Sequence, residues 1–392
     1  MFLQSARLAD GSIVNVRVST TIDAVGSDLT PEPDEEIIDL GRRLLLTAFA
    51  EPHAHLDKAF LSERILNPTG DLMGAIMAMR GNRDLITLDD TIERAERAVR
   101  LLVSNGATTI RSHADTTLEN RLMSVEALLE VRRRTADICD LQIVSLVSWP
   151  VVGEAGAESR ALLREALAAG ADVVGGAPHL DSDWAEANDI LLGIAAEFGR
   201  DVDLHTDETL DPGACGLADL AERVIATGFP NRVTASHCVS LSMQPEDRQC
   251  EVAAKVAEAG ISVVTLPQTN LFLQGRDQQH AMPRALTAVK SLRSAGVNVC
   301  AGADNLQDPF NPMGRGDPLE TAALMVMAAH LLPEQALHTV SGASRAAIAG
   351  RADEISVGQR ADFVVIDAAT VREAMAFQPG GRIVFHAGRR VA

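Results

Sequence analysis

The chain has 392 residues, a net charge of −19, 46% hydrophobic and only 3% aromatic residues, and a mean hydropathy of +0.07; a large core of aliphatic side chains is expected. The negative field repels polyanions, which argues against nucleic acid and anionic membrane as partners and for a small molecule. No apolar run reaches the roughly 18 residues that cross a bilayer, and with no basic leader at the start the protein is expected in the cytoplasm.

In chain order, Phe2–Leu8 and Ile13–Val18 read as alternating strands around the turn signal Asp10-Gly11. The proline-rich acidic cluster Thr30–Glu36 reads as a surface loop. Eight apolar runs follow: Leu44–His55, Ala107–His113, Leu141–Trp149, Asp172–Ala177, Asp201–His205, Arg232–His237, Ile261–Leu266 and Val297–Asp304. Between them lie amphipathic helical segments, among them Leu118–Asp137, Glu158–Ala169, Asp183–Phe198, Leu217–Gly228, Gln249–Gly260 and Arg284–Gly296. Several close on the glycine expected just beyond a helix end. This alternation predicts an α/β protein with a (β/α)8 TIM-like barrel. Ala361–Asp367 and Arg382–His386 are again short strands, so both termini are expected to form a small β-sandwich. The division this predicts is 1–48 with 354–392 as the sandwich domain and 49–353 as the catalytic barrel. Cys139, Cys215, Cys238, Cys250 and Cys300 are scattered without CxxC spacing, which fits reduced thiols rather than disulfides or a zinc cluster.

Active sites of such barrels lie at the C-terminal ends of the strands. Run one ends in Glu51-Pro-His53-Ala-His55, run five in His205 followed by Glu208, run six in His237 and run eight in Asp304. Strand side chains alternate, so His53 and His55 share a face and can bind one ion. Three imidazoles and a carboxylate, His53, His55, His205 and Asp304, suit one divalent zinc or ferrous ion with a position left for water. Such an ion lowers the pKa of that water so that hydroxide is available near neutral pH. Glu208 can then take a proton from the water and pass it to a ring nitrogen, and His237 can stabilise the developing oxyanion.

Any one of these histidines alone reads as an ordinary hydrogen-bonded residue; their joint placement at strand ends carries the assignment. His113 also ends a strand but has a supporting or structural role in this pattern, and His179, His280, His330, His338 and His386 are read as structural. Lys58, one of three lysines with Lys255 and Lys290, reads first as an exposed salt-bridge partner and second as a substrate contact. Asn270, Gln274 and Arg276 follow run seven, where they either read a heterocycle's edge or cap the loop. Trp149 is a pocket wall or core. The candidate substrate-binding set is Lys58, Trp149, Gln274, Asn305 and Phe310.

At Glu51-Pro-His-Ala-His-Leu-Asp-Lys58, His205-Thr-Asp-Glu208, Val233-Thr-Ala-Ser-His237, Asn270-Leu-Phe-Leu-Gln-Gly-Arg276 and Gly302-Ala-Asp-Asn-Leu-Gln-Asp-Pro-Phe310 the chain resembles the amidohydrolase superfamily. The resemblance is to the branch of bacterial cytosine deaminase and N-isopropylammelide isopropylaminohydrolase, and it spans nearly the whole chain. It implies one zinc or iron on His53, His55, His205 and Asp304, proton shuttling by Glu208, water activation by His237 and Asp304, and a homo-oligomer. Binuclear relatives bridge their metals with a modified lysine on strand four, and Asp172–Ala177 has none, so a single metal is favoured. Cytosine deaminase has a glutamine after strand three where this chain offers Ser148 or Trp149, and a second aspartate where it has Asn305. An amide cannot relay protons as a carboxylate does. Asn305 and Leu56-Asp57-Lys58 look more like the isopropylaminohydrolase side, whose substrates are amino-substituted triazines.

The expected function is therefore a metal-dependent aminohydrolase that cleaves an exocyclic C–N bond of a pyrimidine- or triazine-like N-heterocycle. Two alternatives stand beside it: an amidase using the same metal site on a cyclic or exocyclic amide, and a catalytically silent binding module.

Overall fold

The computed structural model describes residues 1–351 and 354–392. Of the expected domain boundaries, the one after 353 adjoins residues outside the described ones.

The first apolar run is two strands rather than one. Leu44–Thr47 belongs to the sheet of the termini and Phe49–Ala54 opens the barrel. The change happens across a single residue: the Ala48 N–H donates to the Asp362 carbonyl at 3.0 Å, and the next N–H, of Phe49, donates to Gly106 in the barrel at 2.8 Å. Hydrophobicity is continuous through this point, so it carries no mark of the switch.

Eight parallel strands form the barrel wall in sequence order: Phe49–Ala54, Ala107–Thr116, Asp140–Val147, Val173–Gly176, Asp201–Thr206, Val233–His237, Ser262–Thr265 and Val299–Ala301. They are barrel strands one to eight below. Strand eight is short and meets strand one beyond its own end: the Asp304 N–H donates to the His53 carbonyl at 3.0 Å, and the His55 N–H to the Asp304 carbonyl at 3.0 Å. The ring is thus clasped at its C-terminal mouth, where the functional side chains of such barrels stand.

Aliphatic side chains of the strands and surrounding helices make the main core. Helices Met123–Thr135, Ala157–Ala169, Trp184–Phe198, Gly216–Thr227, Glu246–Glu258 and Val289–Ser294 occupy the predicted segments. The last begins later than expected because Ala285 takes a left-handed conformation, φ +53°, which a continuing helix does not tolerate. Two helices between strands one and two were not read from the sequence, Leu72–Gly81 and Leu88–Ser104. The first is capped by Asp71, whose carboxylate accepts from the Gly74 N–H at 2.7 Å. Three more, Pro318–Ala328, Pro333–Thr339 and Gly342–Ala349, follow strand eight.

Strands from both termini build a separate eight-stranded sheet with its own core, in which Phe363 and Phe385 meet edge to face at 6.4 Å. Among the described residues no helix is long and apolar enough to cross a membrane.

Candidate active site

Strand alternation puts His53 and His55 on the inner face of strand one, and the clasp brings Asp304 beside them. His55 Nε2 is 3.3 Å and His53 Nε2 3.7 Å from Asp304 Oδ1. From strand five, His205 Nε2 lies 3.2 Å from His55 Nε2. Ligands at about 2.05 Å around a tetrahedral ion are about 3.3 Å apart, so these spacings fit one cation. His53, His55 and Asp304 offer ligand atoms all within 4.8 Å of one another, as do His53, His205 and His237.

The unpaired atoms give an independent test of that fit. His53 Nε2, His205 Nδ1, His237 Nε2 and Asp304 Oδ2 are buried without a hydrogen-bond partner. An orphaned buried polar atom costs about 1–3 kcal/mol, and a cation held between His53 Nε2 and the Asp304 carboxylate relieves both of those residues at once. Burial holds His53, His55 and His205 well below the usual imidazole range, which keeps them neutral, the form that ligates.

His53 is oriented from behind. Its Nδ1 is 2.9 Å from the Ser236 hydroxyl, which donates to Asp203 at 2.8 Å. Arg111 donates to the other oxygen of Asp203 at 2.8 Å. Because Ser236 gives its proton to Asp203, it accepts from His53 Nδ1, and the lone pair is left on Nε2 facing Asp304. His113 stacks on the His53 ring at 3.8 Å, a supporting position.

Glu51 closes the floor, accepting from the Ala303 N–H at 3.1 Å and the His53 N–H at 3.2 Å. Gly302 is required there, since a Cβ would come within 2.5 Å of the Glu51 carboxylate. Glu208 sits on a loop tied down by its neighbour Asp207, whose carboxylate accepts from the Gly216 and Leu217 N–H groups at 3.0 and 2.9 Å. Its Oε1 is 3.5 Å from His237 Nδ1. Burial alone pushes the Glu208 carboxyl up to about 8, and burial also pulls His237 down to about 3. Asp207, His237, Cys238 and Asp304 all hold positive φ, between +48° and +69°; non-glycine backbone of this kind clusters at functional sites.

Above these groups lies a cavity of about 150 Å³. Its lining includes Lys58, Trp149, Asn305 and Phe310 together with Glu208, His237 and Asp304. Gln274 is not part of that lining; it follows the helix Pro267–Leu273, more than a turn beyond Thr269, which does face the cavity.

Lys58 is not the exposed residue expected. It is 4% exposed, with Nζ 2.6 Å from Asp115, 3.3 Å from Asp57 and 3.1 Å from His55 Nδ1. Burial works against its charge, but Asp115 and Asp57 outweigh it and raise the pKa.

Several participants were missed. His179, read as structural, lines the cavity and its Nδ1 meets the His205 carbonyl at 3.0 Å; its position just past strand four matches the rule applied to the other strands. Asp115 belongs to strand two, which runs three residues beyond the expected His113; the spacing His113-x-Asp115 was its signal. Arg80 and the apolar Leu72, Ile76 and Met79 come from the unread helix over the mouth. Arg80 lies 4.9 Å from the Trp149 ring.

Residues 66–392 match the amidohydrolase family. The chain is similar to the pterin deaminase of Rhizobium rhizogenes, 34% identical over 358 residues that cover 90% of this chain and 81% of that one. A 5-methylcytosine deaminase from Klebsiella pneumoniae superposes with a TM-score of 0.92 at 30% identity, covering 100% of this chain and 98% of that one. An N-isopropylammelide isopropylaminohydrolase from Burkholderia multivorans gives a TM-score of 0.88 at 29% identity, covering 100% and 97%.

Proposed function

The chain belongs to the amidohydrolase family, and on that premise we propose that it is a metal-dependent aminohydrolase replacing an exocyclic amino or alkylamino group of a small N-heterocycle with oxygen from water. It is a hydrolase of carbon–nitrogen bonds other than peptide bonds. The observation that carries the reading is the convergence of His53, His55, His205 and Asp304, at spacings that fit one cation, with a buried glutamate at one barrel mouth. The relatives named above act on pterin, 5-methylcytosine and N-isopropylammelide, each a ring with an amine on a carbon bonded to a ring nitrogen.

His53, His55, His205 and Asp304 would hold one ion, zinc or iron. When bound there, it supplies a Lewis acid that makes water nucleophilic near neutral pH. Glu208 accepts one proton from the attacking water and delivers it to the ring nitrogen, and the second proton of that water then goes to the amine, which departs as the C–N bond breaks and the carbonyl forms; burial, by raising its pKa, makes Glu208 effective in both directions. Asp304 shares the water's proton. His237, neutral, donates a hydrogen bond to the oxygen of the tetrahedral carbon. The apolar faces of Trp149 and Phe310 enclose the ring, while Asn305 and Lys58 address its polar edge. We extend the reading to a cytoplasmic homo-oligomer; the free cysteines suit a reducing compartment.

The test is elemental analysis of the purified protein, followed by amine release from pterin, 5-methylcytosine and N-isopropylammelide. About one zinc or iron per chain with ammonia or isopropylamine released supports the proposal. A loaded protein that releases no amine from any of the three, or forms a new carboxylate instead, overturns it.

A further inference from the structure

Donation by His237 to an oxygen in the cavity requires that the ring's proton sit on Nε2. The side chain is buried, 2% exposed, and neutral, so it has one proton for two nitrogens. Two groups reach Nδ1 and favour opposite outcomes. Glu208 Oε1, 3.5 Å away, draws the proton to Nδ1 when ionised. The Asn270 amide brings Nδ2 to 3.2 Å and Oδ1 to 3.4 Å from the same nitrogen.

Asn270 is fully buried, and its side chain has no other hydrogen bond among the described residues. Its backbone is fixed: the N–H donates to the Leu266 carbonyl at 3.1 Å, and its own carbonyl accepts from the Gln274 N–H at 3.1 Å. The amide is therefore held against one imidazole nitrogen with its donor atom the nearer. An N–H pointed at Nδ1 makes that nitrogen an acceptor and leaves the proton on Nε2. Nε2 is the atom without a partner, 4.0 Å from Asp304 Oδ2, on a residue that lines the cavity.

We propose that Asn270 is the positioning residue that sets the tautomer of His237: its amide N–H, bonded to Nδ1, presents Nε2–H to the oxygen of the tetrahedral carbon. This rests on the reading of His237 as a neutral donor. Asn270 touches neither substrate nor metal in this role. Its effect passes through His237 alone.

The experiment is a nitrogen-15 spectrum of the histidine rings in zinc-loaded protein, with His237→Gln used for assignment, alongside steady-state kinetics on whichever of pterin, 5-methylcytosine and N-isopropylammelide is turned over. Wild type should show His237 protonated at Nε2. Asn270→Asp, whose carboxylate only accepts, should move the proton to Nδ1 and lower kcat about 10²-fold with KM within roughly threefold and zinc content unchanged. Asn270→Ser, which keeps a donor, should recover part of the loss. An Nδ1–H tautomer in wild type overturns the proposal whether or not the variants fold, as does an Asn270→Asp protein that keeps Nε2–H and full kcat. Failure of the wider reading looks different: His237→Gln would then retain wild-type activity.

Discussion

The Ser236 hydroxyl stands between His53 and Asp203, 2.9 Å from the imidazole Nδ1 and 2.8 Å from the carboxylate. It passes the orientation of a buried ion pair, Arg111 with Asp203, to a proposed metal ligand. Ser236→Ala should leave the barrel folded but weaken metal binding by about 10–100-fold, measured by competition with a chromogenic chelator. Unchanged affinity would show that packing against His113 is enough to aim the ring.

Glu208→Gln keeps the size and removes the proton acceptor. The variant should bind metal like wild type and lose about 10²–10⁴ in rate. Metal content and amine release on the same sample decide it. Wild-type turnover would remove Glu208 from the mechanism.

The same carboxyl makes a prediction about stability. Its pKa is pushed up to about 8 by burial, from 4.5 when free. Between those values the metal-free folded state keeps a proton that the unfolded state has released, so the glutamate costs stability increasingly as pH rises through the window. Below it both states are protonated and the cost vanishes. Melting metal-free wild type and Glu208→Gln side by side should therefore give a Tm gap in favour of the variant that widens by about 2–4 °C between about pH 5 and pH 8. Comparing the pair cancels the buried histidines, which act in the opposite direction. A constant or narrowing gap contradicts the assignment.

Lys58 neutralises Asp115 and Asp57 inside the protein. Lys58→Met leaves two carboxylates without their cation and should destabilise by about 2–4 kcal/mol; the loss falls below that of a fully dry pair because Asp115 is partly exposed. Denaturant midpoints test this. A variant as stable as wild type would mean that water already solvates the acids.

The grouping of His53, His55, His205, His237 and Asp304 at one barrel mouth was legible because it obeys a local rule: His53 and His55 alternate on one strand, and His205, His237 and Asp304 each end an apolar run. The barrel was legible for the same reason, since eight such runs alternate with helical periodicity. What stayed hidden depends on distance. Lys58 looks like a surface residue until Asp115 arrives from strand two, and the partnership of Ser236 with His53 joins strands six and one. The helix Leu72–Gly81 buries only Ala75, so it lacks the clear apolar stripe that periodicity detects, although its inner residues wall the cavity. The strand break at Ala48 leaves no trace in composition because both sheets want apolar side chains there.

The backbone bonds of Asp304 to His53 and His55 join the two ends of the barrel wall. An ion that needs His53 and Asp304 together cannot be gripped by a half-made barrel, since one ligand arrives with the first strand and the other with the last. Uptake of metal therefore reports that the whole ring has assembled, and the rate at which unfolded chains acquire it on refolding is a clock for the final docking step.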